Sequence, residues 1–132
     1  KVNALFEVLH KMAGYVFVDC TDEENDLISQ IALRNAHEVI MVLSPDLKSM
    51  VYLASNEELF GNNAERAIRI LNVNENELYS PVDDVRTNVK NISYILPYSK
   101  QIRGQHLDGL LYERAKDKKY RTELSKIINK IM

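Results

Sequence analysis

The 132-residue chain is 45% hydrophobic and 27% charged, which suits one globular domain and excludes a disordered tail, a collagen-like repeat or a low-complexity linker. Lys and Arg number 17 against 19 Asp and Glu, a formal charge of −2, so a dedicated nucleic-acid binder, whose domain is usually strongly basic, is not expected. The single cysteine, Cys20, admits no intrachain disulfide and points to a reducing compartment, and no apolar run is long enough for a membrane span or a signal peptide.

The chain opens on Lys1 rather than Met and enters an amphipathic segment at once, so it is expected to be part of a longer polypeptide. Val2 to Met12 places Val2, Leu5, Phe6, Val8, Leu9 and Met12 at helical spacing, which predicts a helix with one buried face, stopped at Gly14. Tyr15-Val16-Phe17-Val18 is a short continuous apolar run ending at Asp19, the pattern of a strand buried on both faces. Thr21, with Glu24 three residues on, can cap a helix lined by Leu27, Ile28, Ile31 and Ala32 and closed at Asn35-Ala36-His37. Val39 to Leu43 reads as a second buried strand, and Ser44-Pro45-Asp46 leads into a helix over Ser49 to Phe60, facing inward with Met50, Leu53, Ala54 and Leu59.

After a loop at Gly61-Asn62-Asn63, Ala67 to Val73 predicts a third, partly alternating strand. Asn74 to Pro81 is turn-like, and a short helix follows to Val89 with Val82 and Val85 inward and Pro81 in its first turn. Asn91 to Leu96 is a fourth strand, ended by Pro97. Ser99 to Gly104 reads as irregular, Leu107 to Ala115 as helical, and Tyr120 to Met132 as a helix with Leu124, Ile127, Ile128 and Ile131 on one face. Strands alternating with helices predict an α/β fold of three layers, a mostly parallel sheet flanked by helices.

In such a sheet, ligands sit beyond the carboxyl ends of the strands. The residues there are Asp19 and Thr21, Ser44 and Asp46, Asn72 and Asn74, and Pro97 to Ser99. Every strand must also end in something polar, so each has a structural reading beside the functional one. A carboxylate at a strand tip, as expected of Asp19, can hold Mg²⁺ directly or through water, or can cap the helix after it. Asp46 reads foremost as a helix cap. Gly104 and Gly109 have the glycine spacing of a phosphate loop, but Leu110 and Leu111 follow where lysine and a hydroxyl are needed. His10, His37 and His106 have no metal-ligand spacing, His37 fits a helix end, and Cys20 reads as a buried structural thiol. The run Arg114, Lys116, Lys118, Lys119, Arg121, mixed with Glu113, Asp117 and Glu123, is a solvated helix face first and a contact for acidic lipid or DNA second.

Taken in order, Tyr15-Val-Phe-Val-Asp-Cys, Asn35-Ala-His-Glu and Val39-Ile-Met-Val-Leu-Ser-Pro-Asp-Leu-Lys-Ser-Met resemble the second half of a MinD/ParA-type P-loop ATPase. Ser44 to Ser49 is similar to the CpaE/TadZ branch, which helps place pilus machinery at the cell pole. Ile70-Leu71-Asn72 and Ile95-Leu96-Pro97 resemble later strands of the family. The resemblance implies that residues 1–132 are one domain, the C-terminal part of a larger P-loop NTPase-like domain that is incomplete here. It implies ATP and Mg²⁺ as cofactors. Asp19 falls at the Walker-B-like aspartate as catalytic and metal residue, Asn72 where the family contacts adenine, and Pro97 at the loop bordering the base.

It further implies a homodimer that positions a pilus or secretion assembly through protein partners. Localisation would be cytoplasmic, at the pole or inner membrane surface, with a peripheral membrane contact. Thr21 stands where the family commonly has Pro, and the phosphate loop would lie upstream of Lys1, so weak ATPase activity requires that loop to be supplied from there. The family's phosphate-loop strand lies inside the sheet. Without it, buried backbone groups lose partners at about 1–3 kcal/mol each, so an upstream segment or a second copy is expected to complete the sheet. Two further readings are a degenerate, non-hydrolysing interaction module and a receiver- or flavodoxin-like domain using Asp19, Asp22 and Lys100.

Overall fold

The computed structural model describes residues 2–21, 26–55, 67–73, 85, 87, 89, 91–111 and 113–132. Helix α1 (Val2–Met12) has the predicted bounds, and its last turn is closed by the Ala13 N–H donating to Leu9 O at 3.0 Å just before Gly14. Its expected buried face is shallow. Phe6 and Leu9 are half-buried, but Leu5, Val8 and Met12 are exposed, because among the described elements α1 packs chiefly against α2 (Leu27–Asn35).

The cap of α2 is Asp26, not Thr21. The Asp26 carboxylate accepts from the Ile28 and Ser29 N–H groups, both at 3.2 Å, and from the Ser29 hydroxyl. Thr21 supports this cap from outside the helix. Its N–H donates to Ser29 Oγ at 3.0 Å and its hydroxyl to Asp26 at 3.4 Å. A carboxylate in the N-cap position satisfies two free amides and suits the positive end of the helix, which is why the start falls here. Glu24, the other half of the predicted capping box, lies outside the described residues.

Three strands form one sheet in the order β1 (Ile40–Leu43), β2 (Ile68–Asn72), β3 (Ile92–Leu96). Both pairings are parallel, with Val42 opposite Ile70 and Asn72 opposite Leu96, and a register irregularity falls at Arg69/Ile70. The predicted alternation of strand and helix therefore yields a parallel α/β sheet. Two cores lie on its opposite faces, since adjacent residues of a strand point to opposite sides. Leu43 and Leu71 pack with Val85 and Val89 on one face, joined by Met50 and Leu53 of α3 (Leu47–Ser55). Ile68, Ile70 and Leu96 pack with Ile127 on the other, beneath α5 (Lys118–Ile131). Val85 is 1% exposed, as its inward assignment requires, while Val82, Leu59 and residues 56–66 lie outside the described residues.

Four further sequence expectations are corrected. Tyr15–Val18 is not a strand: the segment is coil, with Val16 half-buried and Tyr15, Phe17 and Val18 exposed. An apolar run becomes a buried strand only where a neighbour takes up its backbone groups and a layer covers each face, and no described strand pairs with this one. For the same reason β1 is not buried on both sides. It stands at the sheet edge among the described residues, with Val42 62% exposed and Leu43 7%.

The stretch after Ser99 is not irregular but forms helix α4 (Lys100–Leu107). The Ser99 hydroxyl accepts from Ile102 N–H at 3.4 Å, and this cap offsets the cost of Gly104 inside the helix, about 1 kcal/mol relative to Ala. The helix predicted over Leu107 to Ala115 is instead where α4 stops. Gly109 takes φ +70°, its N–H reaches His106 O at 3.3 Å, and the Leu110 N–H reaches Gln105 O at 2.7 Å. That paired closure needs a left-handed residue, and glycine adopts it without Cβ strain.

Candidate functional site

Parallel pairing puts the carboxyl ends of β1, β2 and β3 along one rim. After β1, Asp46 is committed to capping α3. Its carboxylate accepts from Ser49 N–H at 2.7 Å, while Ser49 Oγ accepts from Ser44 N–H at 3.3 Å. Asn72 ends β2 half-buried, with Leu96 as its register partner. The ladder runs one step further, as Val73 N–H donates to Leu96 O at 2.9 Å. Pro97 follows Leu96 directly, so Asn72 and Pro97 sit at neighbouring strand tips, as the sequence predicts.

Beyond β3 the rim is tied down. Ser99, 5% exposed, caps α4, as Asp117 caps α5. Asp117 accepts from Tyr120 N–H at 3.1 Å. Gln101 Oε1 accepts from the N–H groups of Lys116 and Asp117 at 2.7 and 2.8 Å. The Tyr120 amide first, and then the Ser99 hydroxyl, hold Asp117 below the usual carboxylate range. Asp26 is lowered too, chiefly by the Ser29 hydroxyl, and burial pushes the Tyr120 phenol up. These carboxylates serve helix starts, a role their residue types allow but their sequence spacing does not announce.

Asp19 is not brought to the rim by the sheet. It lies exposed in the coil after Val18, so the strand-tip geometry expected of it is absent. Cys20 beside it is half-buried rather than buried, with its thiol 3.8 Å from Val18 O. Among the described residues no three His, Cys, Asp or Glu side chains gather as a metal site. His10 and His37 meet edge to face with ring centroids 5.6 Å apart, a contact between α1 and the end of α2 that sequence spacing does not show. Lys100 opens α4 exposed, and Asp22 lies outside the described residues.

Asn72 carries a carboxamide with both a donor and an acceptor, and Pro97 is half-buried like it. The described residues gather no phosphate cradle there: Gly104 is inside α4 and Gly109 closes it. No helix among them is long and apolar enough to cross a membrane. Comparison with protein-family models, with curated proteins and with solved structures finds no match for the chain.

Proposed function

We propose that the chain is the base-binding part of a MinD/ParA-like, ATP-dependent positioning protein. In this reading it acts as a homodimer in the cytoplasm, at the pole or inner membrane surface, and directs a pilus or secretion assembly. The observation that carries the reading is that Asn72 and Leu96 pair at adjacent tips of a parallel sheet, with Pro97 the residue directly after Leu96. Asn72 would read adenine and Pro97 would border it. The triphosphate and Mg²⁺ would be held by residues outside the rim, with Asp19 reaching the metal only if Tyr15–Val18 joins the sheet. The exposed Phe17 and Val42 support a sheet that takes further pairing.

Calorimetry with Mg²⁺ and ATP on the protein that carries this chain tests the reading. Binding weakened about tenfold by Asn72→Ala, equivalent to about 1.4 kcal/mol, is the expected result, with GTP binding less affected. Absence of any heat of binding overturns it. A non-hydrolysing interaction module is the second reading, favoured by Asp19 standing in exposed coil and by Asp46 and Ser99 being spent on helix caps.

A further inference from the structure

We propose that His10 and His37 together bind one divalent transition-metal ion of the zinc class, which clamps α1 to α2. The two rings come from different elements, His10 from the last turn of α1 and His37 from the position after Ala36, the C-cap of α2. Their centroids are 5.6 Å apart. A zinc–imidazole bond is about 2.0–2.1 Å and the ring centre lies about 1.1 Å beyond the nitrogen, so two imidazoles on one tetrahedral ion have centres about 5 Å apart. The fold therefore already holds the rings close to the separation that a shared ion requires.

The rings meet edge to face, with their planes at 79°. Both side chains are exposed, and χ2 of histidine is a broad torsion, so each ring can turn one nitrogen toward the ion while the backbone stays in place. Exposure also admits water to the remaining coordination positions, since no third His, Cys, Asp or Glu gathers with the pair among the described residues. Imidazole suits Zn²⁺, Ni²⁺ and Cu²⁺, whereas Mg²⁺ and Ca²⁺ take oxygen ligands. The site is thus independent of any Mg²⁺ carried by a nucleotide.

The surroundings favour a cation. A helix ends in unsatisfied carbonyls that amount to about half a negative charge, and the contact between His10 and His37 brings two such ends together. A proton on one ring answers this in part, and protons on both repel, whereas one ion engages both rings at once. The charged residues beside the pair in sequence, all exposed, balance each other: Lys11 and Arg34 stand against Glu7 and Glu38. The packing also leaves a task for the ion. Phe6 and Leu9 are only half-buried while Leu5, Val8 and Met12 are exposed, so α1 is thinly held and a metal bridge between the helix ends adds directly to its docking.

The chain has three histidines, which makes the test direct. Zn²⁺ is titrated into the metal-free chain at neutral pH and followed by NMR of the histidine rings. The His10 and His37 signals are expected to move together, with one dissociation constant and one ion per chain, while His106 stays; Mg²⁺ should move none of them. Binding should weaken at least about tenfold in His10→Ala and in His37→Ala, the cost of disturbing even an outer-shell partner, and hold in His106→Ala and Cys20→Ser. With Zn²⁺ at about ten times its dissociation constant, exchange of the Ala13 amide, which closes the last turn of α1, should slow about tenfold, and not in His37→Ala. Electron paramagnetic resonance of Cu²⁺ on the wild type needs no variant to fold and should show two imidazole nitrogens on the ion. No binding overturns the proposal. One imidazole per ion, or a separate dissociation constant for each ring, overturns it in favour of independent surface histidines. Loss of binding in Cys20→Ser overturns it in favour of a thiolate site, and an ion held only as two copies associate does so in favour of a bridge between copies.

Discussion

The Ser99 hydroxyl accepts from Ile102 N–H at the start of α4 and helps to hold the Asp117 carboxyl, at the start of α5, below its ordinary range. Removing it with Ser99→Ala leaves a buried cap unmade and is expected to cost about 1–2 kcal/mol, read by urea unfolding near neutral pH. The pH dependence has a definite sign. Asp117 titrates lower in the folded protein than its ordinary 3.8, so its contribution is present above that value and lost as pH falls through the folded pKa. In Ser99→Ala the Asp117 pKa should move up toward 3.8, as followed by NMR of its carboxyl carbon. The stability gap between wild type and variant should narrow on acidification but not close, because the cap to Ile102 does not titrate. A gap that widens in acid would show that the hydroxyl does not bond the charged form of Asp117.

Burial, more than hydrophobicity, separates the residues that hold the elements together. Leu71 is fully buried in the central strand, and its truncation to Ala is expected to cost about 3–5 kcal/mol. Ile127 and Ile128 are neighbours on α5 and chemically the same, yet they are 4% and 43% exposed. Ile127→Ala should therefore cost about 2–4 kcal/mol and Ile128→Ala under about 1 kcal/mol, measured by equilibrium unfolding. The sequence pattern placed both on one inner face, because periodicity resolves a stripe and not its rim. The elements most legible in sequence are α1, β2, β3 and α5, whose apolar spacing is strong. Helix α4 was hidden because Lys-Gln-Ile-Arg-Gly-Gln-His-Leu has almost no apolar stripe. It is held instead by Ser99 and by Gln101, which reaches backbone amides 15 and 16 residues away. Asn72 and Pro97 were legible as site candidates because each simply ends an apolar run. Asp19 is misplaced by pattern alone, because an apolar run has the same spacing whether or not a neighbouring strand pairs with it.

For the whole molecule, the decisive contrast is between the centre of the sheet and its margins. β2 is flanked on both sides, and four of its five residues are buried. Among the described residues β1 lies at an edge with Ile40 and Val42 exposed, and Tyr15–Val18 is apolar coil. Local opening follows such differences, from near zero for unpaired segments up to global stability for core strands. Amide exchange should be slowest at Ile70 and Leu71, faster along the outer side of β1, and close to the unprotected rate at Phe17 and Val18. The same measurement distinguishes two descriptions of the apolar run. If it belongs to a sheet completed from outside the chain, adding the completing segment or forming the dimer should protect Phe17 and Val18 by at least about a hundredfold, which corresponds to about 2.7 kcal/mol of local stability. Protection of these amides in the chain alone would mean that the run already pairs, and that coil is the wrong description of it. Exchange that stays fast in the assembled protein would mean that no strand forms there, and Asp19 would then have no strand end from which to reach a metal.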